Sequence, residues 1–463
     1  MDRRHFIHTA SAAAAVTAVA LQGCKTEKKP EAAEEASLGE IPTDRMEYRT
    51  GEHGEQVSLL GYGCMRWPTL PNGEVQTEGP AKGSDIDQEA VNRLVDYAME
   101  HGINYYDASP MYCKGLCEQA TGIALSRHPR EKYMVATKLS NFDPYYWPRE
   151  KSIEMYHNSF KNLQVDTIDF YLLHSVGGSG MEGFSKRYID NGMIDFLMEE
   201  RAAGRIKNLG FSFHGDMAVW DWCMEQHERI HWDFVQIQHN YVDWTASRRT
   251  EAHNGDSQYL YNDLASRNIP AVVMEPLLGS RLASLNQHAT AELKALEPQR
   301  SIASWAFRFA GTQPKILTVL SGMTYMEHLQ DNLRSYAPFK PLTDEEMSLL
   351  EKIGHEFAMF PTVPCTACAY CMPCPYDIDI PEVFRHFNNC LNEGLMQDDE
   401  TASDYKKLRK KYLSSYLGKV SRDRQADHCI GCGKCMEHCP QNINIPKQMQ
   451  RIDQYEQKLR ESL

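Results

Sequence analysis

From Met46 to about Pro341 the chain alternates short apolar runs with longer amphipathic ones. Eight apolar runs read as buried strands: Leu59–Gly63, Ile103–Asp107, Met134–Lys138, Ile168–His174, Ile206–Ser212, Phe234–Gln238, Ala271–Glu275 and Ile316–Leu320. Each is short and apolar, bounded by helical patterns, as a buried strand is. Between them the apolar positions recur at helical spacing, as in Ile86–His101, Ile153–Leu163, Ile194–Ala203, Ser257–Arg267 and Ile302–Ala310. Met46–Tyr48 and Val57–Ser58, separated by Gly51 and Gly54, predict a leading hairpin. Eight strand–helix units with right-handed crossovers close into a parallel (β/α)8 barrel, with every helix outside. An open doubly wound sheet is the alternative, but no Gly-x-Gly-x-x-Gly follows the first strand.

After the helical stretch Asp344–Phe360, Pro361 and Pro364 mark a boundary, and the pattern changes. Eight cysteines fall into two runs, Cys365, Cys368, Cys371, Cys374 and Cys429, Cys432, Cys435, Cys439, followed by Pro375 and Pro440. The second run has the spacing C-x2-C-x2-C-x3-C-P, and the first is one residue shorter before its last cysteine. One turn of backbone then presents three thiolates to one face of a cubic cluster, and the fourth ligand often comes from the other run. The runs therefore predict one or two 4Fe–4S clusters, two being favoured. The expected ligation is crossed: Cys365, Cys368 and Cys371 with Cys439, and Cys429, Cys432 and Cys435 with Cys374. Zinc sites draw their ligands from separated pairs, which these runs are not. Pro381–Leu395 and Ala402–Tyr416 read as helices between the runs, so a mostly α-helical ferredoxin domain is expected over 361–445, with 446–463 an exposed helical tail.

The first 24 residues read as an address. Arg3 and Arg4 precede an Ala/Val-rich stretch that ends in Leu21-Gln22-Gly23-Cys24. This is the layout of a twin-arginine export signal joined to a lipoprotein box. It predicts lipid anchoring at Cys24, a location in the cell envelope and a tether over 25–45, with the barrel domain at 46–360. The formal net charge of −14 argues against nucleic acid as a partner. Beyond the signal, no stretch is long and apolar enough to span a bilayer.

In a barrel of this kind, chemistry belongs at the C-terminal ends of the strands. Asp107, Lys138, His174, Ser212 and Glu275 end strands there, Tyr112 follows the second strand, and Gln236 lies on the sixth. Trp67, Tyr145, Tyr146 and Trp147 suggest an aromatic-lined mouth. Cys64, Cys113, Cys117, Cys223 and Cys390 read as small buried hydrophobes.

The segments Gly102-Ile-Asn-Tyr-Tyr-Asp107-Ala-Ser-Pro-Met-Tyr112, Ala136-Thr-Lys138 and Tyr171-Leu-Leu-His174 carry a resemblance to the aldo-keto reductase family, over roughly residues 46 to 340. The whole assembly resembles the ferredoxin-bearing branch of that family. The resemblance implies a catalytic set of Asp107, Tyr112, Lys138 and His174, with Tyr112 the proton donor, reducing a small carbonyl or oxidising an alcohol with a nicotinamide cofactor. Ser212 and Gln236 match the family's nicotinamide contacts, while Phe213 stands where the family has Asn. Glu275, Ser321, Gly322 and Asn332 complete the expected cofactor-binding set, with Leu320–Thr324 as the pyrophosphate loop. Gly322 and His328 occupy positions where NADP-binding members carry Lys and Arg, so NADP is not favoured over NAD. The clusters imply a redox carrier, such as a quinone or a flavoprotein. A second reading makes the barrel a non-catalytic docking module of an electron-transfer subunit.

Overall fold

The computed structural model describes residues 39–70, 85–246, 256–397, 399–439, 441 and 443–461. The signal segment with Arg3, Arg4 and Cys24, most of the tether, and Pro440 lie outside the described residues. Among the described residues, no helix is long and apolar enough to cross a membrane.

Among the described residues there are ten strands. β1 (Tyr48–Thr50) and β2 (Gln56–Ser58) form the leading antiparallel hairpin. The other eight are β3 (Leu60–Gly63), β4 (Tyr105–Asp107), β5 (Met134–Leu139), β6 (Ile168–Val176), β7 (Ile206–Phe213), β8 (Phe234–Gln238), β9 (Ala271–Met274) and β10 (Ile316–Ser321). They close a parallel barrel in the order β10-β3-β4-β5-β6-β7-β8-β9. The two-sided burial of a parallel barrel explains the near-continuous apolar runs. Tyr105, Phe170, Phe234, Val272 and Leu317 fill the interior, with the rings of Tyr105, Phe170 and Phe234 meeting edge to face at 5.0 and 5.1 Å. The hairpin closes the bottom, where the Arg49 guanidinium donates to the carbonyls of Gly311, Gln313 and Ile316.

Strand ends differ from the sequence pattern by one or two residues. Ile103 and Asn104 precede β4 rather than start it, because Asn104 is held by the hairpin through Ser58 and Gln56. Glu275 falls just beyond β9 with φ +53°, in the turn that opens the next loop. Ile41, within the expected tether, and Met46, at the expected start of the barrel domain, are both buried in the barrel's outer core.

Beyond the helix Asp344–Met359, which opens with a Thr343–Glu346 capping box, the C-terminal region is helical, with helices Ile380–Asn392, Tyr405–Lys419 and Ile445–Glu461. The last is not the exposed tail expected from sequence. Ile445, Met449 and Ile452 join the domain core with Val383, Phe384 and Phe387, and Leu459 packs with Cys390, Tyr405 and Tyr412. Its apolar positions recur at helical spacing, and burying that stripe is what ties the helix down.

Candidate active site

The ends of β4, β5 and β6 bring four side chains of the expected set together. Lys138 Nζ donates to Asp107 Oδ1 at 2.5 Å and to the carbonyl of Ala108 at 2.9 Å. Both side chains are buried, and the second carboxylate oxygen of Asp107 has no hydrogen-bond partner. Burial pushes the Asp107 carboxyl up, and the Lys138 cation opposes that shift. The Lys138 ammonium stands 4.9 Å from the centre of the Tyr112 ring. Tyr112 meets His174 edge to face at 5.8 Å. Directly after Tyr112, Cys113 and Lys114 adopt φ +52° and +54°, so the turn presenting the phenol is held in a conformation that side chains other than glycine disfavour.

Sequence reasoning missed the groups that orient His174. Its Nδ1 lies 2.6 Å from Ser140 Oγ, which lies 2.9 Å from Ser109 Oγ. Arg187 is buried beside it and donates from Nη2 to the His174 carbonyl at 2.6 Å and to the Tyr188 hydroxyl at 2.6 Å. Arg187 and Tyr188 sit on a π-helical turn, Ser185–Ile189, a distortion that often marks functional sites. Burial, with Lys138, His214 and Arg187 nearby, drives the His174 pKa well below its ordinary value, so the ring is neutral. His214, one residue past the Phe213 position, is 6.3 Å from His174 and is itself pushed down to about 4 by burial. The Ala-Ser-Pro sequence before Tyr112 was visible, but nothing in a single sequence ties Ser109 to Ser140 across two strands.

The expected cofactor residues divide. Ser212 Oγ accepts from the Ser175 amide at 2.9 Å, and on the neighbouring strand Gln236 keeps a buried side-chain oxygen without a partner. These two fit a carboxamide that brings its own N–H donor. Ser321 and Asn332 bond to each other at 2.8 Å. Gly322 packs under the side chain of Arg66, and Glu275, its carboxyl pushed up by burial, lies within the electrostatic reach of the same arginine. Arg66 donates in turn to the carbonyls of Thr366 and Ala367 at 3.1 and 3.3 Å. The cluster domain thus reaches the barrel's C-terminal face beside the expected pyrophosphate loop.

Of the aromatic residues, Trp67 is fully buried and donates to Thr121, so it belongs to the core and not to the mouth, while Tyr145 is exposed. Cys64, Cys113, Cys117, Cys223 and Cys390 are buried free thiols. The indole–hydroxyl bond accounts for Trp67, because a buried N–H needs an acceptor.

In the C-terminal domain, Cys365, Cys368, Cys371 and Cys439 line one cavity with Ile380, Phe384 and Ile443. Cys435 has Cys374, Cys429 and Cys432 as its thiol neighbours. The thiols thus lie as Cys365, Cys368 and Cys371 with Cys439 and as Cys429, Cys432 and Cys435 with Cys374, with Cys371 and Cys435 adjoining across the two sets. Burial pushes the Cys365 and Cys435 thiols up to about 11. Bound to iron they would be thiolates, so cluster insertion releases protons. Ala367 and Ala369 in the first run, and Gly431 and Gly433 in the second, have positive φ, which bends each run around its thiols. This donor set fits iron–sulfur clusters.

Residues 60–355 match the model of the aldo/keto reductase family, and residues 364–444 that of the 4Fe-4S dicluster domain. The chain belongs to the aldo/keto reductase family and is an oxidoreductase with an iron–sulfur domain. YqkF of Bacillus subtilis (strain 168), an uncharacterised oxidoreductase, is 24% identical over 324 residues, which cover 65% of this chain and 94% of that protein. The protein tas of Escherichia coli (strain K12) is 31% identical over 196 residues, covering 36% of this chain and 52% of its own. Among solved structures, an aldo-keto reductase of Bacillus halodurans in its holo form has a TM-score of 0.51 at 23% identity and covers 66% of this chain and 96% of its own. A Klebsiella pneumoniae aldo/keto reductase in complex with NADP and acetate has a TM-score of 0.51 at 19% identity, covering 66% and 95%. These likenesses establish the barrel fold.

Proposed function

We propose that this protein is an exported, membrane-tethered oxidoreductase whose barrel reduces a small carbonyl or oxidises an alcohol, linked to one-electron transfer through two 4Fe–4S clusters. The observation that carries the catalytic part is the buried Lys138–Asp107 pair set against Tyr112. An ion pair sealed from water is costly to maintain, and a docking module has no use for one beside a phenol.

Tyr112 gives its proton to the carbonyl oxygen as negative charge develops there. A free tyrosine holds its proton up to a pKa of about 10, and the Lys138 cation stabilises the phenolate that remains. Asp107 keeps Lys138 in place. His174 is neutral, with Nδ1 facing Ser140; in the tautomer where Nδ1 accepts, Nε2 donates to the substrate oxygen and steadies it. Ser212 and Gln236 would hold the carboxamide of a nicotinamide, and that group, when bound, supplies the hydride. Glu275, Ser321, Gly322 and Asn332 would line its phosphate end. The Klebsiella pneumoniae relative was solved with NADP, which supports a nicotinamide dinucleotide as the cofactor class. Gly322 and His328 supply no cationic clamp for a 2'-phosphate, so NADP is not favoured over NAD.

Cys365, Cys368, Cys371 and Cys439 would hold one cluster, and Cys374, Cys429, Cys432 and Cys435 the other. Clusters move electrons singly and hydride moves two together, so the partner is a carrier able to do both, a quinone or a flavoprotein. Arg3 and Arg4 with Cys24 support export of the folded protein and a lipid anchor in the cell envelope. The test is protein purified without oxygen from its own envelope, then denatured and assayed for released cofactors by mass spectrometry. Stoichiometric nicotinamide dinucleotide is expected. Its absence, together with undiminished turnover in Tyr112→Phe, would sink the hydride reading.

A further inference from the structure

The two thiol sets are not equivalent in the fold. Residues flanking the first set make the contacts with the barrel: Thr366 packs its backbone on Gly279, Thr366 and Ala367 accept from Arg66, and Gln441 lies 3.5 Å from Gln238 at the end of β8. The second set runs from the buried Cys374 out to solvent. Cys432 is exposed, and its neighbours Ile430 and Met436 are 64% and 41% exposed. One cluster site is therefore inner and the other outer.

Arg281, on the loop after β9, reaches the inner site. Its Nη2 donates to Thr362 Oγ1 at 2.8 Å, and its guanidinium stacks 4.7 Å over Phe357. Nε and Nη1 are buried without a hydrogen-bond partner. With Cys365 and Ala367 the residue lines a single cavity between the barrel loop and the cluster domain. Arg385 also lines this cavity, and Asp243 acts on Arg281 from outside its lining. Arg385 is engaged by Glu382 at 2.5 Å. Asp243 accepts from Gln238 and Asn240 through Oδ2, leaves Oδ1 without a partner, and acts on the Arg281 charge more strongly than Cys365 does. A buried guanidinium with two unpaired N–H groups is expensive unless something negative meets it. A cluster held by four thiolates is a net anion and gains one more negative charge on reduction. Burial lowers the Arg281 pKa to about 10, which leaves it charged at neutral pH.

Building on the proposed electron-transfer role, we propose that Arg281 is a positioning residue by which the barrel sets the reduction potential of the inner cluster, stabilising the reduced state of the site formed by Cys365, Cys368, Cys371 and Cys439. The step it favours is a one-electron gain with no bond formed or broken. The electron comes from a one-electron donor acting at the outer, exposed site. The outer cluster feels Arg281 far less, so the two sites differ in potential and the electron runs inward, toward the barrel face that carries Asp107, Tyr112, Lys138 and His174.

The test is a potentiometric titration of the full, cluster-loaded protein with dithionite, followed by electron paramagnetic resonance, without substrate. Arg281→Gln is expected to lower one of the two midpoint potentials and leave the other in place, with iron content unchanged. In a Cys432→Ser background, which disables the outer site, the remaining potential should still fall with Arg281→Gln. If Arg281→Gln does not load, Thr362→Val is the substitute. It frees the guanidinium from its anchor and should lower the same potential by a smaller step. Two unmoved potentials, or two moved equally, overturn the proposal. A barrel with no turnover would leave this titration intact, so failure of the catalytic reading shows separately in Tyr112→Phe.

Discussion

The ammonium of Lys138 stands 2.5 Å from Oδ1 of Asp107, and both side chains are buried. Removing one member strands the other. Lys138→Met should lower turnover about 10²–10⁴-fold, the range of a lost acid–base element. It should also destabilise the barrel by about 3–5 kcal/mol, as expected for an uncompensated buried charge. Adding Asp107→Asn to it should restore part of the stability and none of the activity. Chemical denaturation of the wild type and the two variants beside their turnover checks both halves.

Acid should weaken the fold partly through His239. It is buried among Trp244, Phe309 and Tyr261, with Nδ1 on Ser257 and Nε2 unpartnered. Burial pushes its pKa down to about 3. Above the unfolded value near 6.5, neither state binds the proton and His239 adds no pH dependence to stability. Below it, the unfolded chain takes up a proton that the folded one refuses, so stability falls as pH drops and levels off near pH 3. His239→Phe removes this contribution. Between pH 6 and 4 the variant should gain on the wild type by about 1.4 kcal/mol per pH unit, measured by denaturant titration at each pH. A constant difference across that range would show that His239 is protonated in the fold.

Gly279 ties the barrel to the cluster domain by its lack of a side chain. It has φ +64°, and a Cβ placed there would lie 2.1 Å from the Thr366 Cα. Gly279→Val should therefore open the contact, costing about 1–3 kcal/mol through overpacking, while the barrel and the clusters survive. Hydrogen exchange is expected to rise around Thr366 and Ala367 and on the loop after β9, with the strands unaffected. Protection unchanged at that loop would mean that the two domains are joined elsewhere.

The barrel was legible because two-sided burial writes itself into the sequence as apolar runs, and Asp107, Lys138 and His174 stood out as polar residues at the ends of such runs. The thiol spacing marked the cluster domain equally well. What stayed hidden depends on contacts far apart in the chain. Ser140 orients His174, but a serine after a strand carries no signal of its own. Arg187 reads as one more surface cation until the π-helical turn folds it inward. Arg66 and Arg281 look like loop residues, and only the docking of Thr362–Ala367 onto the barrel gives them a place. The last helix was misread as exposed because its many polar residues mask an apolar stripe, Ile445, Met449, Ile452 and Leu459, that needs the cluster domain to cover it.

Crossed ligation can be separated from ligation within each run by pairing substitutions. Cys439 lines the cavity of Cys365, Cys368 and Cys371, whereas Cys374 neighbours Cys435 together with Cys429 and Cys432. In the crossed arrangement, Cys374→Ser and Cys432→Ser strike the same cluster. The double variant should keep one four-iron cluster with its native resonance signal and potential. Cys439→Ser with Cys432→Ser strikes both, and both signals should be altered or lost. Ligation within runs predicts the reverse, because Cys439 and Cys432 would then share a cluster while Cys374 and Cys432 would not. Iron analysis and electron paramagnetic resonance of the two double variants, prepared without oxygen, therefore decide between the arrangements whichever signal belongs to which site.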